Sequence, residues 1–393
     1  MGNSFTETST QSWESILIGS IKSVFVGVIL LLIALVALWF NEGRAVKTAK
    51  GLTEGASQVV DISSEAVSQE SSGKLVHLTG DVQSKEQLTD TEFGITVDAL
   101  RLKRSVYMYQ WVEHKKTKSE KKVGGSKKTT TTYEYEKQWG NTLIKSSSFK
   151  KPEGHMNPAA FPIAAYNNQV KNATIGAYDL PHALLSNIRV YVPYQMSSID
   201  TLLMKNALII NESGVSEGSS VQKIYIGSGT NAEPQLGDVK VLFAIIEKGQ
   251  PYSIVSKQIG SSFEKFNTST GTSINVIAAG AVSSDSMFTA AQESNVVTTW
   301  VIRIVGFLML FFGLKLIFDP LVVLADVLPF LGNLLSMGIT LFAGVVAFIL
   351  SFVTFAIAWI FYRPVLGMSM LVIGIGTFVF FNRKKKGDVA AIK

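Results

Sequence analysis

The chain has 393 residues, of which 47% are hydrophobic and 17% charged, a formal net charge of +6 and no cysteine. A soluble domain carries about 25% charged residues; here the apolar excess is gathered at the two ends, which is the pattern of membrane spans. The missing cysteines exclude disulfides and thiolate metal sites, while a domain of this length still builds its own core on either side of a membrane.

Residues 1–22 form a short tail. Residues 23–40, SVFVGVILLLIALVALWF, carry no charge and match the roughly 20 helical residues that cross about 30 Å of hydrocarbon. The run is too long for a signal-peptide core, and NEGRA follows where a small-residue cleavage site would stand, so it reads as an uncleaved anchor. Lys22 can snorkel at its start, and Trp39 sits where aromatic belts form. Residues 41–299 read as a β-rich domain outside the membrane. Its first part, 42–60, continues the helix, because Ala45, Ala49, Leu52, Ala56 and Val59 share one face.

From Lys74 the text changes to strands: LVHLTGDV, SVYMYQWVEH, TTTTYEYEKQW, NIRVYVPY, VQKIYIG, DVKVLFAIIEK and SINVIAAGAV, separated by Gly, Asn, Ser and Pro clusters. Between the second and third lies the Lys-rich segment Lys115–Lys128, with a hairpin tip at Gly124-Gly125. It reads first as a solvated hairpin that resists edge pairing, and second as a contact for anionic lipid or an acidic partner. Residues 283–295 predict a short polar helix leading back to the membrane.

Residues 300–318 form the second span, with Arg303 and Lys315 near its ends, both able to snorkel. Asp319-Pro320 is expected to end that helix, leaving 319–333 as an interfacial connector. The third span is 334–362 and the fourth 365–381, with Arg363-Pro364 between them, and 382–393 is a basic tail. The positive-inside rule sets the Arg383–Lys386 cluster in the cytoplasm. Four spans then put both termini there and the β domain outside, although Arg44, Lys47 and Lys50 run against this. The fold class is membrane α plus extramembrane α+β: four transmembrane helices, one N-terminal and three C-terminal, flanking a mostly antiparallel β domain.

The chain carries little catalytic signature. His77, His114, His155 and His182 have no metal-pair spacing, and neither a phosphate-binding loop nor a nucleophile elbow occurs. No catalytic, cofactor-binding or metal-ligating residue is singled out, no cofactor is implied, and the chain reads as no enzyme. An outward domain meets no nucleic acid. Gly27, Gly306 and Gly313 permit close helix packing, within one chain or between copies.

Several stretches carry a family resemblance: Asn41-Glu42-Gly43-Arg44-Ala45 after the first span, Leu75-Val76-His77, and Met108-Tyr109-Gln110-Trp111-Val112-Glu113. Further on come Gly154-His155 with Asn157-Pro158, then Gly237-Asp238, Thr299-Trp300, and Trp359-Ile360-Phe361-Tyr362-Arg363-Pro364. In order and spacing the chain resembles the transmembrane protein 43 (LUMA) family over nearly its whole length. The resemblance implies four spans, cytoplasmic ends and a lumenal or periplasmic domain. In animals it implies the endoplasmic reticulum and inner nuclear membrane, nuclear-envelope partners and self-association. The missing cysteines, short tail and plain loops look more like a bacterial member, which would sit in the cytoplasmic membrane with a periplasmic domain. The resemblance carries over no catalytic residues. Among its motif residues, Asn41, Glu42, Gly43, Arg44, Tyr109, Gln110, Trp111, Glu113, His155, Asn157, Pro158, Tyr362, Arg363 and Pro364 are singled out with no role assigned.

The expected function is a multi-pass membrane scaffold that organises membrane protein complexes or the envelope. Its partners would be the lipid bilayer, further copies of itself, unidentified membrane proteins and, in a eukaryote, nuclear-envelope proteins. The alternatives are an ion channel or channel subunit, suggested by Arg303, Lys315, Asp319, Asp326 and Arg363 at the helix ends, and a membrane-tethered enzyme of the outer domain.

Overall fold

The computed structural model describes residues 4–196, 207–213 and 220–365, with 368, 369 and 372. Most of the expected fourth span and all of the basic tail lie outside the described residues. Four helices stand among them: α1 (Trp13–Gln58), the single turn α2 (His182–Leu185), α3 (Ser284–Ala325) and α4 (Pro329–Tyr362). Three of these, α1, α3 and α4, are long and apolar enough to cross a membrane.

Helix α1 starts at a Ser12 N-cap, whose side chain accepts from the Ser15 N–H. It has 46 residues, about 69 Å at 1.5 Å per residue. That exceeds the hydrocarbon thickness, so its C-terminal part projects into the β domain. Its buried positions repeat every seven residues, as Gly27, Ala34 and Asn41 and as Leu38, Ala45 and Leu52. This is the seam of an antiparallel pair with α3. Phe25 and Leu32 point outward and stay exposed, as a lipid-facing surface requires.

Helix α3 begins at the Ser283 cap and runs unbroken through both the expected polar helix and the second span. It also runs through Asp319-Pro320, where the sequence predicts an end, and stops at Ala325. Proline at 320 cannot donate to the Leu316 carbonyl. The Ser23 hydroxyl of α1 stands 3.3 Å from that carbonyl, its single proton shared with the nearer Ser20 carbonyl at 2.7 Å, and the helix continues past the proline. The connector therefore shrinks from 319–333 to the turn at 326–328, and α4 opens with Pro329 in its first turn, where a missing N–H costs nothing.

Among the described residues the β domain is two large sheets packed on a shared core, with two short ribbons, Leu88–Asp90 against Ile95–Val97 and Phe266–Asn267 against Ser273–Ile274. The larger runs in the order Ser4–Gln11, Lys127–Gly140, Ala99–Lys121, Val239–Glu247, Ser220–Ile226, Ala207–Ser213. The second centres on Leu75–Gln83 paired with Pro251–Ile259. Pairing is antiparallel throughout, except where Val60–Asp61 runs parallel to Leu75–Gln83. Leu100, Leu102, Val106 and Met108 of the large sheet meet Val76, Leu78 and Ile254 of the second across the core.

Two strand expectations change. NIRVYVPY is largely irregular and keeps only Val192–Pro193. PYSIVSKQI, which the strand reading passes over, is a central strand buried on both faces.

The Lys-rich hairpin is real and long. From the Met108/Gly140 pair to the Lys121/Lys127 pair it extends about 45 Å. Gly124 and Gly125 turn at its tip with φ of +89° and +77°. Its outer strand does not stay unpaired: the tail segment Ser4–Gln11, assigned by the charge rule to the far side of the membrane, pairs with it from Ser4/Glu134 to Gln11/Lys127. The tip also meets the helix ends. Trp13 donates to the Val323 carbonyl at 2.8 Å, Gly124 N–H to the Val327 carbonyl at 3.0 Å, and Lys121 pairs with Asp326 at 2.6 Å. The tail, the α3–α4 turn and the hairpin are thus joined, although the topology reading sets them on opposite sides. A charge count sees no backbone pairing.

This pairing is directly testable because the chain has no cysteine. The Thr6 and Thr132 hydroxyls lie 3.2 Å apart on opposed residues. Thr6→Cys with Thr132→Cys should form an intramolecular disulfide under mild oxidation, read as a non-reducing gel shift. Two thiols that stay separately alkylatable would show the tail elsewhere.

Candidate functional site

The residues singled out from the sequence gather in two places. The first is the point where α1 and α3 leave the apolar zone. Below it the helices touch backbone to backbone: a Cβ on Gly27 would stand 2.6 Å from the Gly313 carbonyl oxygen, and one on Gly306 would stand 2.3 Å from Leu38. Above it the seam turns polar. Asn41 Nδ2 donates to the Thr299 carbonyl at 3.1 Å, Asn295 Nδ2 to that of Ala45 at 3.0 Å, and Gln292 Nε2 to that of Ala49 at 2.9 Å.

Glu42 sits at the transition, with a side chain 1% exposed. Arg303 grips it with two parallel hydrogen bonds of 2.7 and 2.8 Å, and Trp359 Nε1 of α4 donates to the same carboxylate at 2.8 Å. The guanidinium lies over Trp300 and Phe355, 4.9 and 5.1 Å from their ring centroids. Arg303, expected to snorkel, is therefore one half of a buried pair that ties three helices. In so dry a place the bidentate fork and the aromatic faces suit arginine and would not suit lysine.

Arg44, one residue beyond Gly43, turns to the other flank. It donates to Asn295 Oδ1, Thr299 Oγ1 and Asn41 Oδ1 at 2.9, 2.9 and 3.2 Å. Gly43 has no Cβ because the Tyr362 ring lies where one would project, 2.6 Å away. Arg363 ends α4 as its C-cap, and Pro364 follows it in the chain.

The second gathering is at the root of the hairpin, where the loop 141–158 folds onto the strand Ala99–Lys121. Gln110, fully buried, donates to the Thr142 carbonyl at 2.7 Å and accepts from the Ile144 N–H at 3.1 Å. Asn157 accepts from the Trp111 N–H at 2.7 Å and donates to the Trp111 and Ile144 carbonyls. Glu113 accepts from the Tyr135 hydroxyl and the Lys150 N–H at 2.8 and 2.6 Å. His155 stacks on Tyr135 at 4.0 Å, meets Trp111 edge-on and bonds the Lys151 carbonyl. Tyr109 packs on Trp139, and Pro158 lies against Gly237. Nearly every polar atom here is spent on backbone, so the group works as a lock on a loop. Burial, then the Glu113 bond, pushes the Tyr135 phenol from 10.0 up to about 12.

The other histidines stay apart. His77 is held by Asp61 at 2.5 Å and the Val282 carbonyl at 2.9 Å, and His114 pairs with Glu136 on the hairpin. His182 lines a cavity of about 740 Å³ with Asp179 and Glu86. Those carboxylates are already engaged: Glu86 binds the N–H groups of Lys171 and Asn172, and Asp179 binds Ser261. Among the described residues no group of three or more His, Asp or Glu could hold a metal ion. One buried ion pair escaped the sequence reading altogether: Arg104 against Asp90 at 2.8 Å, with both side chains under 5% exposed. Period-two alternation reports which face is inward, and an arginine in an inward position breaks it without naming its partner.

Three apolar helices and an antiparallel sheet domain seated on two of them define a membrane protein with several transmembrane helices and a large extramembrane β domain. The sequence pattern of the family described as Transmembrane protein 43 matches residues 108–364, more than half of the chain. Transmembrane protein 43 of Rattus norvegicus is 30% identical over 351 residues, covering 87% of this chain and 84% of its own. The Homo sapiens protein of that name is 29% identical, covering 90% and 87%, and the Drosophila melanogaster homolog is 29% identical, covering 97% of each. The chain belongs to the transmembrane protein 43 family. These relatives are animal proteins, so the bacterial membership read from the plain loops finds no support in them. No solved structure matches the chain.

Two outcomes follow from the geometry. Arg303→Leu leaves Glu42 buried and unpaired, a loss of about 3–5 kcal/mol. The apparent Tm in detergent, followed by circular dichroism, should fall sharply. The double variant Glu42→Met with Arg303→Met should recover most of it; an unchanged Tm in the single variant would show the pair idle. For Tyr135 the folded-state pKa lies above the unfolded value, so its contribution to stability is complete below pH 10 and is lost as pH rises through about 12. Tyr133, Tyr225 and Tyr252 are also pushed upward, so an absorbance titration of tyrosinate should show several late-ionising groups and lose one of them in Tyr135→Phe.

Proposed function

We propose that this chain is a multi-pass membrane scaffold of the transmembrane protein 43 type, which organises membrane protein complexes or the envelope. The observation that carries the reading is mechanical. Helices α1 and α3 pass without a break from the lipid-facing zone into the β domain. A Gly-packed seam, a buried ion pair and an amide ladder lock them together. Such a stalk holds a large domain in one orientation to the bilayer, which a scaffold needs.

Self-association is supported by the strand Ala207–Ser213. It ends the large sheet and, among the described residues, has no strand on its outer side; Leu208 on it is 62% exposed. An open apolar edge is a template for a strand from another chain. We propose the endoplasmic reticulum and inner nuclear membrane as its location, with nuclear-envelope proteins among the partners, as the family resemblance implies for a eukaryotic member. The names of those relatives carry no activity, and we propose none.

Chemical crosslinking in membranes followed by size analysis in mild detergent tests the reading. Crosslinked species larger than one chain, or a reproducible co-purifying membrane protein, are expected. A strictly monomeric protein with no companion would overturn it.

A further inference from the structure

Beside the Glu42–Arg303 pair, on the other flank of α1, a recess of about 830 Å³ opens between α1, the end of α4 and the turn at 270–273. Its chemistry changes with height. The floor is apolar, made by Ala37, Phe40 and Ile302. Phe40 is 66% exposed and continues the lipid-facing surface of α1. The upper wall carries Arg44 and Lys47. The turn above is pinned to α1 by the Thr270 and Thr272 hydroxyls, both of which donate to the Lys47 carbonyl, at 3.0 and 3.1 Å.

The two cations differ from their neighbour Arg303 in one respect. Arg303 is neutralised by Glu42. Arg44 is held only by neutral groups, two asparagine carbonyls and a threonine hydroxyl. Among the described residues no carboxylate lies within ion-pair distance of Arg44 or Lys47. Three of the five guanidinium N–H groups of Arg44 are spent on its holders, and the buried Nε has no partner. A second Nη1 proton and the whole charge are left over. Asparagine and threonine thus position a cation without cancelling it.

We propose that this recess binds the anionic headgroup of a glycerophospholipid from the leaflet next to the β domain. The phosphate meets Arg44 and Lys47, and the first methylenes of the acyl chains lie on Phe40 and Ala37. A soluble phosphate would gain nothing from the apolar floor, and a zwitterionic headgroup would bring its own cation against two others. A planar guanidinium with a free proton suits a phosphate oxygen, and a cation near a membrane surface favours anionic lipid by about fivefold each. The inference is independent of the scaffold reading, because it concerns a ligand of the junction and not what the β domain assembles.

Native mass spectrometry of the full-length protein, given equimolar phosphatidylserine and phosphatidylcholine with identical chains, tests it. A clear excess of phosphatidylserine adducts is expected. Lys47→Ala, at an exposed position outside the seam, should lower that excess roughly fivefold with an unchanged circular dichroism spectrum. Arg44→Gln, which retains a hydrogen-bonding side chain, should lower it at least as far. Lys22→Ala, at the other end of the same span, should leave it unchanged. Equal adducts of the two lipids would overturn the proposal, as would an excess that survives both recess variants or falls equally with Lys22→Ala. Displacement of the lipid by glycerol phosphate without chains would make the site one for soluble phosphate and overturn the lipid assignment.

Discussion

The rest of the structure depends on the seam between α1 and α3. Lipid tails are as apolar as the helices they surround, so no hydrophobic force drives two spans together; contact has to come from close packing and from polar groups that pair. The seam uses each where it is effective. At bilayer depth it brings peptide backbones together through Gly27 and Gly313 and seats Leu38 against Gly306. At the edge it places the one fully paired charge, Glu42 with Arg303. Beyond the edge, where water would compete for isolated hydrogen bonds, side-chain amides bond helix carbonyls in a row from Asn41 to Gln292. One pair of helices is thus membrane anchor and domain stalk together.

The β domain is built to receive that stalk. The end of α1 is clasped by the turn at 268–272, where a Cβ on Gly51 would stand 2.5 Å from Thr272, and by Ile274 and Phe288 packed round Leu52. From the opposite edge of the domain the long hairpin returns to the far ends of α1 and α3, with the tail strand paired along it. The strand Lys127–Gly140 pairs on both sides over Lys127–Glu134, so the returning hairpin is a three-stranded ribbon there.

Much was legible in the residues. Gly27, Gly306 and Gly313 signalled close helix contact, and the alternation around Tyr107–Trp111 signalled a strand with one buried face. Gly124-Gly125 marked a hairpin tip. What was missed shares a cause. PYSIVSKQI carries Ser, Lys and Gln among its apolar residues, yet its serines and Gln258 are buried and bonded within the domain. NIRVYVPY has strand-forming residues but only a two-residue partner at Val239–Glu247. Pro320 reads as a stop from its neighbours in the chain, yet α3 runs on past it to Ala325, packed between α1 and α4.

By itself the sequence determined the apolar spans, the polar β-rich middle and the family, because hydropathy, side-chain period and ordered motifs are properties of neighbouring residues. Only the tertiary structure decided which charges pair. Glu42 and Arg303, distant in sequence, become a buried bond, while Arg44, two residues from Glu42, keeps its charge facing a recess. A helix turns about 100° per residue, so positions 42 and 44 look in nearly opposite directions, and each side chain takes its character from what stands across from it.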